Sequence, residues 1–302
     1  MMASKNSGVP AAQPGEPLSG FAFALGAYVL WGFMPLYMKA VAHMQPYEVV
    51  AHRILWSVPV AGIILLALRR TADLKAALRS PRTLAMAALT AGLISINWGI
   101  YVWAIGADRA LETALGYYIN PLVNVVLGAV FLGERFNRLQ AVAIALAVIA
   151  VGILTVKAGG LPWVSLALAL SFGTYGYLRK TLPVGPSQGF MLEVLILTPV
   201  ALATIAWLSL RGEGHFLSTG LSDFGLLLLA GPVTALPLIL YAFGAKALRY
   251  TTIGILQYIA PTMIFLTAVF VFGEPFSRWQ LIAFVFIWSA LVLYTASLFR
   301  RG

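Results

Sequence analysis

The chain contains no cysteine, which excludes disulfides and thiolate chemistry. Its three histidines, His43, His52 and His215, are scattered without metal-ligand spacing, so neither a metal nor another cofactor is expected. Charge is scarce. Only 10% of residues are charged, against roughly 25% in a soluble domain. No GxxxxGK followed by Ser or Thr occurs, so the chain itself is not expected to hydrolyse ATP. An enzyme needs a reactive set such as HExxH. That motif is absent, and the chain is read as a non-enzyme.

What is present is apolar. Hydrophobic residues make up 61% of the chain, with a mean hydropathy of +0.90. Apolar runs of about 20 residues recur, the length that crosses a bilayer core as a helix. They do not alternate as the strands of a membrane barrel do. The expected class is an all-α polytopic membrane protein in the inner membrane, with the lipid bilayer as a partner. Ten spans are expected, at 20–42, 46–68, 83–105, 111–132, 139–157, 161–179, 187–209, 223–245, 251–272 and 278–298. The net charge of +10 is read as loop and headgroup charge, with no nucleic-acid partner. With the N-terminus inside, fourteen Lys and Arg fall in cytoplasmic segments and five outside, which predicts both termini in the cytoplasm. Residues 1–18, polar and rich in Pro and Gly, read as a disordered cytoplasmic tail.

One element is written twice. Residues 116–140 read GYYINPLVNVVLGAVFLGERFNRLQ, and 256–280 read LQYIAPTMIFLTAVFVFGEPFSRWQ. Tyr118, Ile119, Pro121, Gly133, Glu134, Phe136, Arg138 and Gln140 each have an identical residue 140 positions on. Tyr101 likewise pairs with Tyr241, and Arg109 with Arg249. Five spans separate the copies. Five is odd, so the second copy inserts upside down. The expected organisation is two five-helix inverted-topology repeats, at 19–158 and 159–300, with a substrate site at their interface.

These features resemble a known family. Ten helices in two halves, each closing on Gly-Glu-x-Phe, resemble the EamA-type members of the drug/metabolite transporter superfamily. AHRILWS (51–57), LSFGTYGYLRKTLPVG (170–185) and LEVLILTP (192–199) are similar to its RarD-like branch. The resemblance covers about 20–300. It implies efflux of small metabolites, with amino acids, including aromatic ones, among the cargo of related exporters. A chloramphenicol-sensitivity label in this branch implies multidrug efflux as the alternative. The small-molecule substrate is moved by alternating access, with protons or the substrate gradient as the driver.

Ionisable residues inside spans cost roughly 2.5–3.5 kcal/mol at a helix centre, so each needs a reason. Arg53 lies seven residues past Pro46, and Glu193 stands 140 residues after it, so the repeat puts opposite charges at equivalent places. Arg53 can bind a substrate carboxylate. Glu193 can hold an ammonium group or titrate, unless an adjacent Arg or Lys pairs with it. The bland reading is that Glu48, His52 and Arg53 satisfy one another, with Arg53 stacked on Trp56. Asn97, Trp98 and Tyr101 form one helical stripe. Tyr118, Tyr175, Gln257 and Tyr258 are further polar or aromatic candidates, and Tyr241 is expected near the place symmetric to Tyr101. The candidate substrate set is therefore Arg53, His52, Trp56, Asn97, Trp98, Tyr101, Tyr118, Tyr175, Glu193, Tyr241, Gln257 and Tyr258. Glu134 and Glu274 are read as ion-pairing with Arg138 and Arg278, four residues on.

Overall fold

The computed structural model describes residues 17–132, 137–157, 160–248, 253 and 256–299. Among these residues it is helical, with no strand. The helices are α1 (Leu18–Ala40), α2 (Pro46–Ala67), α3 (Thr71–Leu78), α4 (Pro81–Gly106), α5 (Ala110–Leu132), α6 (Arg138–Lys157), α7 (Trp163–Thr181), α8 (Pro186–Arg211), α9 (Leu221–Ala247), α10 (Ile259–Leu266) and α11 (Arg278–Phe299). A π turn, Thr267–Val271, continues α10.

The punctuation is local. Pro46, Pro81 and Pro186 each open a helix, where the missing N–H has no intrahelical partner to lose. The Ser80 hydroxyl accepts from the Thr83 N–H at 3.3 Å and caps α4. Gly212, at φ 68°, ends α8 in the left-handed conformation.

Among the described residues, eight helices are long and apolar enough to cross a membrane: α1, α2, α4, α5, α6, α8, α9 and α11. Large apolar side chains point outward from them, with Val130 69% and Leu210 89% exposed, which suits lipid rather than water. The sixth and ninth expected spans fall short. α7 carries Ser165, Ser171, Thr174, Tyr175 and Arg179 along its 19 residues. Only 259–271 of the ninth forms a continuous apolar helix among the described residues. α3, read from the sequence as part of a loop, is a short surface helix whose Asp73 accepts from Gln188 Nε2 at 3.2 Å.

α1 packs on α9 and α10, α2 on α8 and α9, α4 on α7 and α8, α5 on α7 and α10, and α6 on α11. Small residues set the closest approaches. Gly231 of α9 lies directly on the Trp56 backbone of α2, where an added Cβ collides with the Trp56 carbonyl. Gly116 of α5 meets the Ser165 backbone of α7 in the same way, at 2.8 Å. Such contacts bring helix axes together where no hydrophobic force can.

Glu274 corrects the ion pair expected from sequence. Its carboxylate is buried and accepts from the backbone N–H groups of Ala110 at 2.6 Å and Leu111 at 2.9 Å. It thus caps the start of α5 from 164 residues away. Gly273, at φ 66°, makes the turn that aims it there. Arg278 instead lies over the Trp279 ring, 5.3 Å from its centroid. The reason is steric order: the π turn and Gly273 turn Glu274 inward, while Arg278 begins α11 facing out. The companion reading for Glu134, like the tail at 1–16, falls outside the described residues.

Candidate functional site

Arg53 is buried, 3% exposed, in the middle of the helix bundle. Its Nε donates to Thr234 Oγ1 at 3.0 Å, and Thr234 is the fourteenth of the 27 residues of α9. The guanidinium lies 4.8 Å over the Trp98 ring, so the stacking partner is Trp98 of α4 rather than Trp56. The hydroxyls of Tyr37, Tyr101 and Tyr117 are within electrostatic reach of it. Among the described residues no carboxylate comes within 4 Å of Arg53. Its Nη1 and the Tyr101 hydroxyl are buried without a hydrogen-bond partner. A buried guanidinium N–H and a buried hydroxyl, each without a partner among the described residues, are both able to donate to an anion.

Glu48, His52 and Arg53 do not satisfy one another. Glu48, at the first turn of α2, sits level with the loop between α8 and α9. It accepts from the His215 N–H at 2.6 Å and meets His215 Nδ1 at 2.8 Å. His52 Nδ1 accepts from Trp56 Nε1 at 3.1 Å, and its ring packs 4.8 Å from that of Phe216. Consecutive residues on a helix point about 100° apart, so Arg53 turns to α4 and α9 while His52 faces that loop. His52 and Trp56 therefore belong to the seal beside the site, with no contact to Arg53 seen.

Glu193 occupies the equivalent turn of α8 in a different setting. Arg179 Nε stands 3.2 Å from its Oε1, and the Tyr175 hydroxyl donates to Oε2 at 3.2 Å. Arg179 Nε also donates to the Tyr175 oxygen at 3.3 Å, while the Thr90 hydroxyl of α4 donates to the Ala87 carbonyl at 3.1 Å. The Arg179 guanidinium fills the space over Gly189, where any Cβ collides with it.

Rings connect the two charged centres. Tyr101 and Tyr117 lie 5.9 Å apart, Tyr117 and Phe172 6.1 Å, and Phe172 and Tyr175 6.0 Å, between ring centroids. This aromatic lane passes from α4 through α5 to α7 and ends on the Glu193–Arg179 pair.

The remaining candidates lie apart from the lane. Asn97 donates to the Leu168 carbonyl at 3.2 Å and to Ser171 Oγ at 2.9 Å, tying α4 to α7. Tyr118 shares a 2.7 Å hydrogen bond with Thr262, joining α5 to α10. Gln257 and Tyr258 stand at the start of α10, with Tyr258 near Tyr294 of α11. Tyr241 packs with Tyr28 and Trp31 of α1, at 6.0 and 5.7 Å. Tyr101 packs instead with Tyr117 of α5. Sequence reading missed Tyr37, Tyr117, Phe172, Thr234 and Arg179. Arg179 had a signal, being one turn past Tyr175, but it counted as a loop charge.

Gly185-Pro186-Ser187-Gln188-Gly189 carries the spacing of a hydrolase nucleophile turn. It begins α8, and the Ser187 hydroxyl donates to Gln188 Oε1 at 3.1 Å, with no histidine bonded to it among the described residues. It does not form a triad there.

Comparison with known proteins places the chain. Residues 18–156 match the model of the EamA-like transporter family. The chain is 40% identical over 289 residues to Protein RarD of Streptomyces exfoliatus, covering 95% of this chain and 91% of that one. It is 36% identical to the Chloramphenicol-sensitive protein RarD of Pseudomonas aeruginosa, covering 91% and 92%. A crystal structure 20% identical in sequence aligns over 94% of this chain and 98% of the other with a TM-score of 0.60, which shows a shared fold. Helices built to cross a membrane, and near-complete alignment with these transporters, make this chain a multi-pass membrane protein of the EamA-like transporter family, in its RarD branch.

Proposed function

We propose that the chain is a secondary transporter that exports small carboxylate-bearing metabolites, amino acids foremost, by alternating access. The observation that carries this reading is Arg53: a buried guanidinium with an unpartnered Nη1 and no carboxylate within 4 Å among the described residues. A carboxylate on the substrate supplies the missing charge, and the planar fork suits it.

The packing supports two inverted repeats of five spans. Shifting by 140 residues carries α1 to α7, α2 to α8, α4 to α9, α5 to α10 and α6 to α11. Under that exchange α1–α9 becomes α7–α4, α2–α9 becomes α8–α4, and α1–α10 becomes α7–α5. All of these pairs are in contact. The self-paired contacts, α2–α8, α5–α10 and α6–α11, are also present. In this reading α7 and α10 complete the ten spans, their polar residues facing the interior.

Counterflow in liposomes tests the function. Vesicles preloaded with an unlabelled amino acid should accumulate the labelled one, saturably, through the purified protein. Uptake that rises linearly without saturation identifies a channel and removes the carrier reading. A second reading is efflux of amphipathic drugs. The aromatic lane favours it, as does the name of the Pseudomonas relative. Chloramphenicol that competes while free amino acids do not decides for it.

Both termini are expected in the cytoplasm. A C-terminal reporter active only inside cells should work, and activity of a periplasm-only reporter at that end overturns the topology.

A further inference from the structure

We propose that Arg179 is a second carboxylate-binding station at the opposite end of the aromatic lane, and that Glu193 is the carboxylate that occupies it between substrates. The inference rests on the carrier reading above, and its test is separable from the test of Arg53.

Four observations carry it. The first is place. Glu48 bonds to the loop that follows α8, so Arg53 enters from the face where α8 ends. Glu193 lies 18 residues before Arg211, the last residue of α8, about 27 Å along the helix at 1.5 Å per residue. The Arg179–Glu193 pair thus stands toward the other face.

The second is layering. The Arg179 side chain keeps 15% of its surface exposed and that of Glu193 only 1%. An incoming carboxylate therefore meets the guanidinium at the rim before it meets the acid behind it.

The third is that Glu193 has a second partner. Tyr175 donates to its Oε2, while its Oε1 has Arg179 Nε at 3.2 Å and no hydrogen bond of its own among the described residues. When Arg179 turns to a substrate carboxylate, Glu193 stays tied through Oε2, and the bare Oε1 draws the guanidinium back once the substrate leaves.

The fourth is that the position is built. Arg179 lies over Gly189, on the first turns of the helix that bears Glu193, and a methyl group there displaces it. From this station the rings of Tyr175, Phe172 and Tyr117 lead to Tyr101, which is within electrostatic reach of Arg53. Two guanidinium stations with an aromatic lane between them select a small anion with an aromatic or apolar body.

The chain has no cysteine, so Glu193→Cys is a single-thiol reporter beside Arg179. In inside-out membrane vesicles the thiol is reacted with an anionic sulfonatoethyl and a cationic trimethylammonioethyl methanethiosulfonate. Adding Arg179→Gln should lower the anionic-to-cationic rate ratio by about tenfold, because the guanidinium no longer draws the sulfonate. Millimolar benzoate should slow the anionic reagent in the Arg179 chain, and benzamide should not. Gly189→Ala, which moves the guanidinium without changing charge, should lower the ratio in the same direction. It decides the matter if the Arg179 variant does not insert. Adding Arg53→Gln should leave both the ratio and the benzoate protection in place. A ratio unmoved by Arg179→Gln and Gly189→Ala, or no protection by benzoate, overturns the station. Protection lost only with Arg53→Gln also overturns it, assigning the anion to Arg53 alone. If the labelling pattern holds while Arg53 variants transport normally, Arg179 stands and the central site falls.

Discussion

Arg53→Ala is expected to cut amino-acid counterflow by at least about 30-fold while the protein inserts and folds normally. Loss of a buried charged hydrogen-bond partner costs a ligand roughly 2–5 kcal/mol, and 1.4 kcal/mol is a factor of ten. The cost should fall on transport alone. Truncating one member of a buried ion pair usually strands the other, but no acid is paired with Arg53 among the described residues. Thr234 keeps its own bond to the Ala230 carbonyl at 2.7 Å. Arg53→Lys restores charge without the planar fork and should recover only part of the rate. Near-normal counterflow by a correctly inserted Arg53→Ala chain removes this residue from the substrate site.

Glu274→Ala is expected to give the largest loss of stability. It orphans the buried N–H groups of Ala110 and Leu111 at once, at roughly 1–3 kcal/mol each. The apparent Tm in detergent reads this, and an unchanged Tm means that α5 needs no cap from the second half of the chain. Glu274→Gln keeps an acceptor oxygen and should lose less. The two substitutions also differ with pH. Burial pushes the Glu274 carboxyl above its ordinary value of 4.5, opposed by the bonds to Leu111 and Ala110. A raised folded value means that the unfolded chain gives up the proton first as pH rises. The stabilisation from this group is therefore full below 4.5 and lost as pH climbs through the folded value. Wild-type Tm should gain on Glu274→Gln as pH falls from 7 toward 5. Parallel pH profiles for the two proteins show that Glu274 does not titrate in that window.

Much of the frame was legible in the residues, because membrane solvent leaves few options. Apolar runs of the right length mark spans, and a buried ionisable residue stands out against them, which is how Arg53 and Glu193 were found. Their partners were harder to read. Arg53 could be given a stacking ring one turn along its own helix, yet Trp98 comes from α4, and only tertiary packing decides between them. Arg179 was hidden by its position at the end of the expected span, two residues before α7 stops, where a basic residue is ordinarily topological. Tyr241 was placed only by its offset of 140 from Tyr101; its neighbours, Tyr28 and Trp31 of α1, come from packing that the offset does not name. Glu274 was misread because sequence distance favours the neighbour at four residues, whereas the left-handed turn at Gly273 sends the carboxylate to a helix 164 residues away. α7 was read as a span from its apolar residues, yet Ser165, Ser171, Thr174, Tyr175 and Arg179 dilute that character, and it is not among the eight helices long and apolar enough to cross.

Under the carrier reading proposed above, Arg53, with no acid paired to it among the described residues, would also give transport an electrical character. In alternating access the field across the bilayer falls on whichever side of the site is sealed. Switching access is therefore equivalent to moving the site's net charge through the membrane voltage. Loaded with a monocarboxylate, the guanidinium is neutralised and the switch is electrically silent. Empty, it carries a whole positive charge, and the inside-negative voltage pulls it back toward the cytoplasmic side, at about 2.3 kcal/mol per elementary charge per 100 mV. Under that reading the voltage powers the reset of the empty carrier and favours export of a net anion, whereas a zwitterionic amino acid, whose ammonium keeps the loaded site positive, gains no such drive.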